Sequence, residues 1–517
     1  MSLFKMRDVW SHRVATSEEF DRGCVVIGAL DSTADANSNG SSSNNSPSTA
    51  NRIVTGSLHG IVRVFAPNPS SAYQPADLLL EHSLAHHGPI LQLAIGRFSS
   101  AAAPQELAVL QPRTLTVFRV VVEYGASSEK EEEEENNGNS NSSSSTSHLR
   151  GRTVQTCTLQ RQYMHVLGAK EDGGAASTED GEVGTGHHFT ACNMVFGSFG
   201  TSSSSPSSSS SATASASKIG MHNICVQSMD CRLAFFSGAI ASFTRQLPNS
   251  LVPGPLCYIQ QSDIFVTCTS DMKIQAFKFQ TLAAAKNKLH KQKQHSKKHG
   301  DRITSSSSSS SKRDSTTIRW EWEVNIGEFA LQIIPAQTRA SAAADAVVIG
   351  EHSLFFLHNT TGEILKQRRL EYKSTAVCAY PSGTSTAPDN LLIASTTGHV
   401  MVYDNALKLL WASNVPTNVS ATVIHLAVSE WFAMPGLISL MDDDGHLAVV
   451  CLGTRPRPVE LRDDETPLDW ARIDEEHRRH MATIRQSGST AMDYGNPNSG
   501  NNSGGQNDGS GSGGVVV

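Results

Sequence analysis

The chain has 517 residues, a formal net charge of −7 and a pI near 6.3, too mild an imbalance for a global field aimed at nucleic acid. The length admits several ordinary domains or one large repeat array, and whole lines of Ser, Asn and Gly lack the apolar content needed to fold. Nine scattered cysteines, odd in number and without a C-x-x-C pair, read as buried free thiols in a reducing compartment.

In chain order, the N-terminus "MSLFKMRDVWSHR" is charged and amphipathic rather than an apolar signal core, and no window reaches the ~18 apolar residues of a spanning helix. A cytosolic protein with at most peripheral membrane contact is expected. Low-complexity tracts at 31–50, 125–152, 168–187, 200–218, 283–317 and 454–517 mask any period and are set aside. What remains is one unit used again and again: an apolar run, then two more runs joined by a short polar turn, then a more polar run.

The paired runs are "RIVTGSLHGIVRVF" (Arg52 to Phe65), "ELAVLQPRTLTVF" (Glu106 to Phe118), "NICVQSMDCRLAFF" (Asn223 to Phe236) and "DIFVTCTSDMKIQAF" (Asp263 to Phe277). They continue with "AVVIGEHSLFFLH" (Ala346 to His358), "LLIASTTGHVMVYD" (Leu391 to Asp404) and "LISLMDDDGHLAVV" (Leu437 to Val450). Alternating apolar residues around Gly, Asp, Ser or Thr are the signature of a hairpin. A leading run such as "CVVIGAL" at Cys24 and a trailing run such as "LLLEHSL" at Leu78 or "LLWASNV" at Leu409 bring each unit to four strands. Seven units at about 47 residues each fall within the ~40 to 50 of a four-stranded blade.

The predicted fold is all-β, a seven-bladed β-propeller over residues 1–454 with disordered low-complexity insertions. A charged linker with a short C-terminal helix follows at 455–487, then a disordered Gly/Ser/Asn tail at 488–517. The seventh unit lacks a good fourth strand, because "TRPRPVELRDD" after Gly453 is charged and broken by proline. "SLFKMRDVW", Ser2 to Trp10, belongs to no other unit and is expected to close the ring as the outer strand of blade seven; "PVEL", Pro458 to Leu461, is the alternative.

Several stretches invite a chemical reading. Asp442, Asp443 and Asp444 beside Gly445 and His446 resemble a cation site, but adjacent carboxylates on one loop converge poorly, and the hairpin position explains them as a turn. Their joint change to Asn is expected to cost little stability. "GSLHG", Gly56 to Gly60, has Ser57 in the wrong place for a hydrolase elbow. His477 and His480 lie three apart beside Glu475 and Glu476, whereas a zincin needs i, i+4 histidines. The pairs starting at His86 and His187 carry no spacing signal. An acidic run, Glu129 to Glu135, and a basic run from Lys286 to Lys298 sit inside insertions, where solvated loops are expected; contact of the basic run with an anionic surface is the sharper alternative. No catalytic, cofactor-binding or metal-binding residues emerge.

Further segments carry a resemblance. The opening "MSLFK" with Arg7, Asp8 and Trp10, "EEFDRGC" (Glu18 to Cys24), "DLLLE" (Asp77 to Glu81) and "TACNMVFGSFG" (Thr190 to Gly200) are similar to segments of one family. So are "ICVQSMD" (Ile224 to Asp230), "PGPL" (Pro253 to Leu256), "NIGEFAL" (Asn325 to Leu331), and "DDGHL" with "LGT" (Asp443 to Thr454). In this order they resemble the N-terminal propeller of the family of the ninth Bardet-Biedl syndrome protein, the parathyroid-hormone-responsive B-one family. The resemblance covers roughly residues 1–454, interrupted by the Ser- and Asn-rich insertions. It implies a non-enzymatic subunit of the BBSome, the coat-like complex that carries membrane-protein cargo to and from cilia with intraflagellar transport and an Arf-like GTPase. It implies no cofactor and no nucleic acid, and places the protein in the cytoplasm, at the ciliary base and peripherally on the ciliary membrane. The competing expectation is a propeller enzyme or metal-dependent ligand binder with polar groups converging at the central mouth.

Overall fold

The structure is a computed structural model. It describes residues 6–30, 51–67, 77–125, 153–168, 189–200, 220–284, 318–431 and 434–452, less 248, 341–342, 382–386, 417–418 and 421, together with Arg479. The expected insertions, the C-terminal helix, the tail, "PVEL" and the acidic and basic runs lie outside the described residues, as do His187, Glu475, Glu476, His477 and His480.

After β1 (Met6–Arg13), whose partner comes last, the chain lays down one sheet after another. Blade 1 is β2 (Val25–Ala29), β3 (Asn51–Gly56), β4 (Ile61–Phe65) and β5 (Leu78–Ser83); blade 2 is β6 (Gln92–Gly96), β7 (Glu106–Gln111), β8 (Thr114–Gly125) and β9 (Thr153–Val166). Blade 3 is β10 (Ala191–Gly197), β11 (Asn223–Ser228), β12 (Arg232–Ser237) and β13 (Ile240–Gln246). Blade 4 is β14 (Leu256–Ile259), β15 (Ile264–Cys268), β16 (Lys273–Lys278) and β17 (Trp322–Asn325). Blade 5 is β18 (Ala330–Ala336), β19 (Asp345–Gly350), β20 (Ser353–Leu357) and β21 (Ile364–Arg369); blade 6 is β22 (Ser374–Tyr380), β23 (Asn390–Ser395), β24 (His399–Tyr403) and β25 (Leu409–Asn414). Blade 7 is β26 (Val423–Trp431), β27 (Met434–Asp442) and β28 (His446–Leu452), with β1 on its outer edge.

This is a seven-bladed propeller. The innermost strands neighbour one another round the ring from β2 through β6, β10, β14, β18 and β22 to β26, which returns to β2. Successive side chains of a strand point to opposite faces of its blade, and both faces press on a neighbour. Seven buried clusters result, one per interface; Val54 and Val64 of blade 1, for example, pack with Leu107 and Val109 of blade 2. The middle strands are buried on both sides and therefore read as near-continuous apolar runs.

The N-terminal strand closes the ring, from Met6↔Leu452 to Arg13↔His446. It runs three residues past the expected Trp10, because Ser11 to Arg13 continue the ladder to the hairpin turn. The aromatic or aliphatic residue that ends the third strand has a role invisible to periodicity. At Phe65, Phe118, Phe236, Leu357 and Tyr403 the pairing with the outer strand shifts by one residue, a bulge that bends the outer strand. Six of the nine thiols are buried; Cys192, Cys231 and Cys378 are only partly so, which corrects the expectation that all are interior.

Candidate functional site

Strand direction sorts the connections between two faces. All seven hairpin turns joining second to third strands share one face with the links from each outer strand to the next inner strand. Segments 31–50, 68–76, 126–152, 201–219 and 285–317 connect strand ends at the opposite face, whereas 169–188 connects strand ends at the turn face. The turn face thus carries the seven hairpin turns and most of the shorter connections.

Five of its turns share one design. Ser57, Ser228, Thr269, Ser395 and Asp442 each accept, through a side-chain oxygen, the backbone N–H four residues on, at Ile61, Arg232, Lys273, His399 and His446. The third residue after each acceptor, Gly60, Cys231, Met272, Gly398 or Gly445, has φ between 60° and 81°, the left-handed position of a three-residue hairpin loop. Gly meets that demand without a Cβ penalty, whereas Cys231 and Met272 meet it at some strain. The acidic triplet therefore forms a turn. Asp442 is fully buried; Oδ1 accepts the His446 N–H at 2.7 Å, and Oδ2 accepts the Ser420 N–H at 2.6 Å and lies 3.1 Å from His446 Nδ1. Asp443 accepts the Ser420 hydroxyl at 2.9 Å. The two acids are not equivalent, and the expectation that all three can be neutralised cheaply fails at Asp442. Ser57 is likewise a buried turn acceptor.

At the centre of the face, inner strands β10, β18, β22 and β26 each skip one residue in their pairing, at Cys192, Leu331, Thr375 and Ile424. The following residue points to the next blade and can latch it. Gln92, in the corresponding register of β6, donates from Nε2 to the Met194 carbonyl at 2.8 Å and accepts the Met194 N–H at 2.7 Å. Gln332 makes the same pair with Val377 at 3.4 and 3.2 Å, and Asn193 donates to the Gly254 carbonyl at 3.2 Å. In blade 7 the position holds His425. Its Nε2 is buried without a partner among the described residues, and desolvation pulls its pKa down to about 4.

Arg22 crosses the mouth from the loop before β2 to donate to the Leu331 carbonyl in blade 5, at 3.3 Å. Burial lowers its pKa, opposed by the neighbouring Asp21. Arg63, buried in blade 1, grips both oxygens of Glu18 at 2.6 and 2.8 Å and Glu81 at 2.8 Å, and its hydrogen bonds hold Glu18 below the usual carboxylate range. His86 and His87 lie in a single 3-10 turn with ring centroids 3.8 Å apart and planes tilted by 48°. Among the described residues no group of three His, Cys, Asp or Glu side chains is placed to hold a metal ion. The polar groups named here are engaged in turns, latches and seams. The roles of Arg22, Gln92, Gln332 and His425 are not legible in the sequence; the last three show only as a polar residue within an otherwise apolar inner run, and Arg22, in the loop before β2, carries no such signal.

Comparison with known proteins places this ring. The PTHB1 N-terminal family profile matches residues 1–456. Protein PTHB1 of Homo sapiens is 30% identical over 497 residues, covering 94% of this chain and 44% of the relative. Protein PTHB1 of Xenopus laevis is 28% identical over 499 residues, covering 95% and 47% respectively. The chain thus spans less than half the length of these relatives. Among solved structures, BBS1N in a crystal with ARL6DN has a similar fold, with a TM-score of 0.51 at 12% identity over 87% of this chain and 97% of that one.

Proposed function

The chain belongs to the PTHB1 N-terminal family, and from that premise we propose that it is the propeller part of a non-enzymatic scaffold subunit of the BBSome. In this reading it serves trafficking of membrane-protein cargo to and from the cilium and supports cilium assembly. The observation that carries the proposal is the family match along the whole ring, from β1 to β28. A mouth occupied by latches and one arginine supports a docking role over catalysis. Its partners are other BBSome subunits, ciliary membrane-protein cargo, the intraflagellar transport machinery and an Arf-like GTPase; the similar BBS1N propeller was crystallised with ARL6DN. Its place is the cytoplasm, the ciliary base and, peripherally, the anionic face of the ciliary membrane.

Affinity purification of the tagged chain from ciliated cells, with mass spectrometry of what co-purifies, tests this. BBSome subunits should be recovered in fixed ratio to the bait, and their absence while the bait remains folded would overturn the assignment.

A further inference from the structure

Among the described residues the outer strand of each blade is paired on one side only, and an open edge recruits other strands unless a charge, a proline or a cover prevents it. Six of the seven outer strands carry such a charge: Arg7, Asp8 and Arg13 in β1, Glu81 in β5, Arg161 in β9, Arg245 in β13, Glu323 in β17, and Lys366, Arg368 and Arg369 in β21. β25, "LLWASN", carries no charge and no proline. The nearest charge, Lys408, precedes it in the turn, where Asp404 accepts its N–H at 2.7 Å. Leu409 and Leu410 are 40% and 53% exposed, and Ala412 and Asn414 are exposed as well.

The direction of the free groups follows from the ladder. Val415 donates its N–H inward to the Gly398 carbonyl, and Ser413↔Val400 continues that pairing. By alternation the backbone groups of Ala412 and Asn414 face outward, and the Asn414 carbonyl also accepts the Ser413 hydroxyl at 3.1 Å; Leu410 is the extra residue of the bulge opposite Tyr403. β25 therefore offers outward donors and acceptors at Ala412 and Asn414 beside apolar side chains, and the nearest charges from a neighbouring blade, Lys366 and Arg368 of β21, are held on the Asn405 and Leu407 carbonyls of the turn before it.

We propose that β25 is a docking edge that takes an extended, uncharged strand from a partner polypeptide. Only a strand supplies donors and acceptors at the spacing of this edge, and only an uncharged one is matched by Leu410 and Ala412. A second copy is a poorer occupant. Six residues paired with six bury a narrow strip, well short of the roughly 1,200 Å² of a stable association, whereas a partner held elsewhere in an assembly needs no more than that strip. The inference deepens the scaffold reading and rests on it only for which complex supplies the strand.

The test replaces Leu410 with photo-crosslinking p-benzoylphenylalanine in the full chain expressed in ciliated cells, with the same replacement of Ile364 in the charged strand β21 as control. Position 410 should join one contiguous segment of another polypeptide that position 364 does not. A synthetic peptide of that segment should slow amide exchange at Ala412 and Asn414 at least tenfold in the purified chain, and a proline at its centre should abolish the effect. L410K should leave the melting temperature unchanged and cut recovery of the partner at least tenfold. Adducts only with a second copy or with this chain itself, no adduct, adducts shared with position 364, or peptide binding without protection would each overturn the docking edge. A partner outside the BBSome would leave the edge standing while removing the scaffold assignment.

Discussion

The Trp10 indole N–H donates to Asp77 Oδ2 at 2.6 Å across the seam where the chain's first strand meets blade 1. Trp10 lies in β1, the outer strand of blade 7, and Asp77 immediately precedes the outer strand of blade 1. The bond ties the closing strand to its neighbour, and Trp10 packs edge-on to Phe65, 6.3 Å between centroids, in the cluster that fills the seam. Trp10→Phe keeps most of that packing and removes one charge-assisted hydrogen bond. It should cost about 1.5–3 kcal/mol, read as a lower denaturant midpoint.

Removal of residues 1–13 takes away the partner of β28 altogether. Amides of His446 to Leu452 should then exchange with solvent much faster, while those of β3 and β4 in blade 1 keep most of their protection. Unchanged exchange in β28 would mean that the strand is held by something other than β1.

Asp442 and Asp444 sit two residues apart and should respond differently to the same change. Asp442→Asn places an amide where two backbone donors and an imidazole converge, at a cost of about 1–3 kcal/mol. Asp444→Asn, on the outside of the turn, should stay within about 0.5 kcal/mol. Thermal or chemical melts of the two single variants decide it.

The glutamine latches should act independently. Gln92 ties blade 2 to blade 3 and Gln332 ties blade 5 to blade 6, so Gln92→Ala and Gln332→Ala should each cost about 1 kcal/mol and add in the double variant. Strong non-additivity would show that strain at one blade interface is felt at another.

His425 predicts a pH dependence with a definite sign. Its folded pKa, near 4, lies below the ordinary 6.5, so between those values the unfolded chain binds the extra proton. Stability falls as pH drops through that window, by on the order of 3 kcal/mol from this group, and levels off below pH 4. His425→Gln installs the latch residue of blades 2 and 5 and should flatten the slope between pH 6.5 and 4. Some slope should remain, because burial also lowers His12, His87, His165 and His222.

Period-two alternation and turn residues are local properties, so the number of blades, their hairpins and the turn status of Asp442 to His446 could all be read in the chain. "SLHG", "SMD", "TSD", "TTGH" and "DDDGH" occupy one position because each supplies the oxygen or the left-handed residue that the hairpin needs. Local chemistry could also suggest an N-terminal closing strand, since a blade one strand short leaves an open edge, but not that it would run to Arg13. The end of β1 depends on pairing with residues more than 430 positions away. The same holds for the Trp10–Asp77 bond, the reach of Arg22 to Leu331, the latches of Gln92 and Gln332, and the full burial of Asp442. The bonds join groups from 45 to 309 positions apart that only the packing of the blades round the ring brings within reach, and Asp442 is buried only where Ser420 folds over its turn; nothing in the spacing of the residues encodes those distances.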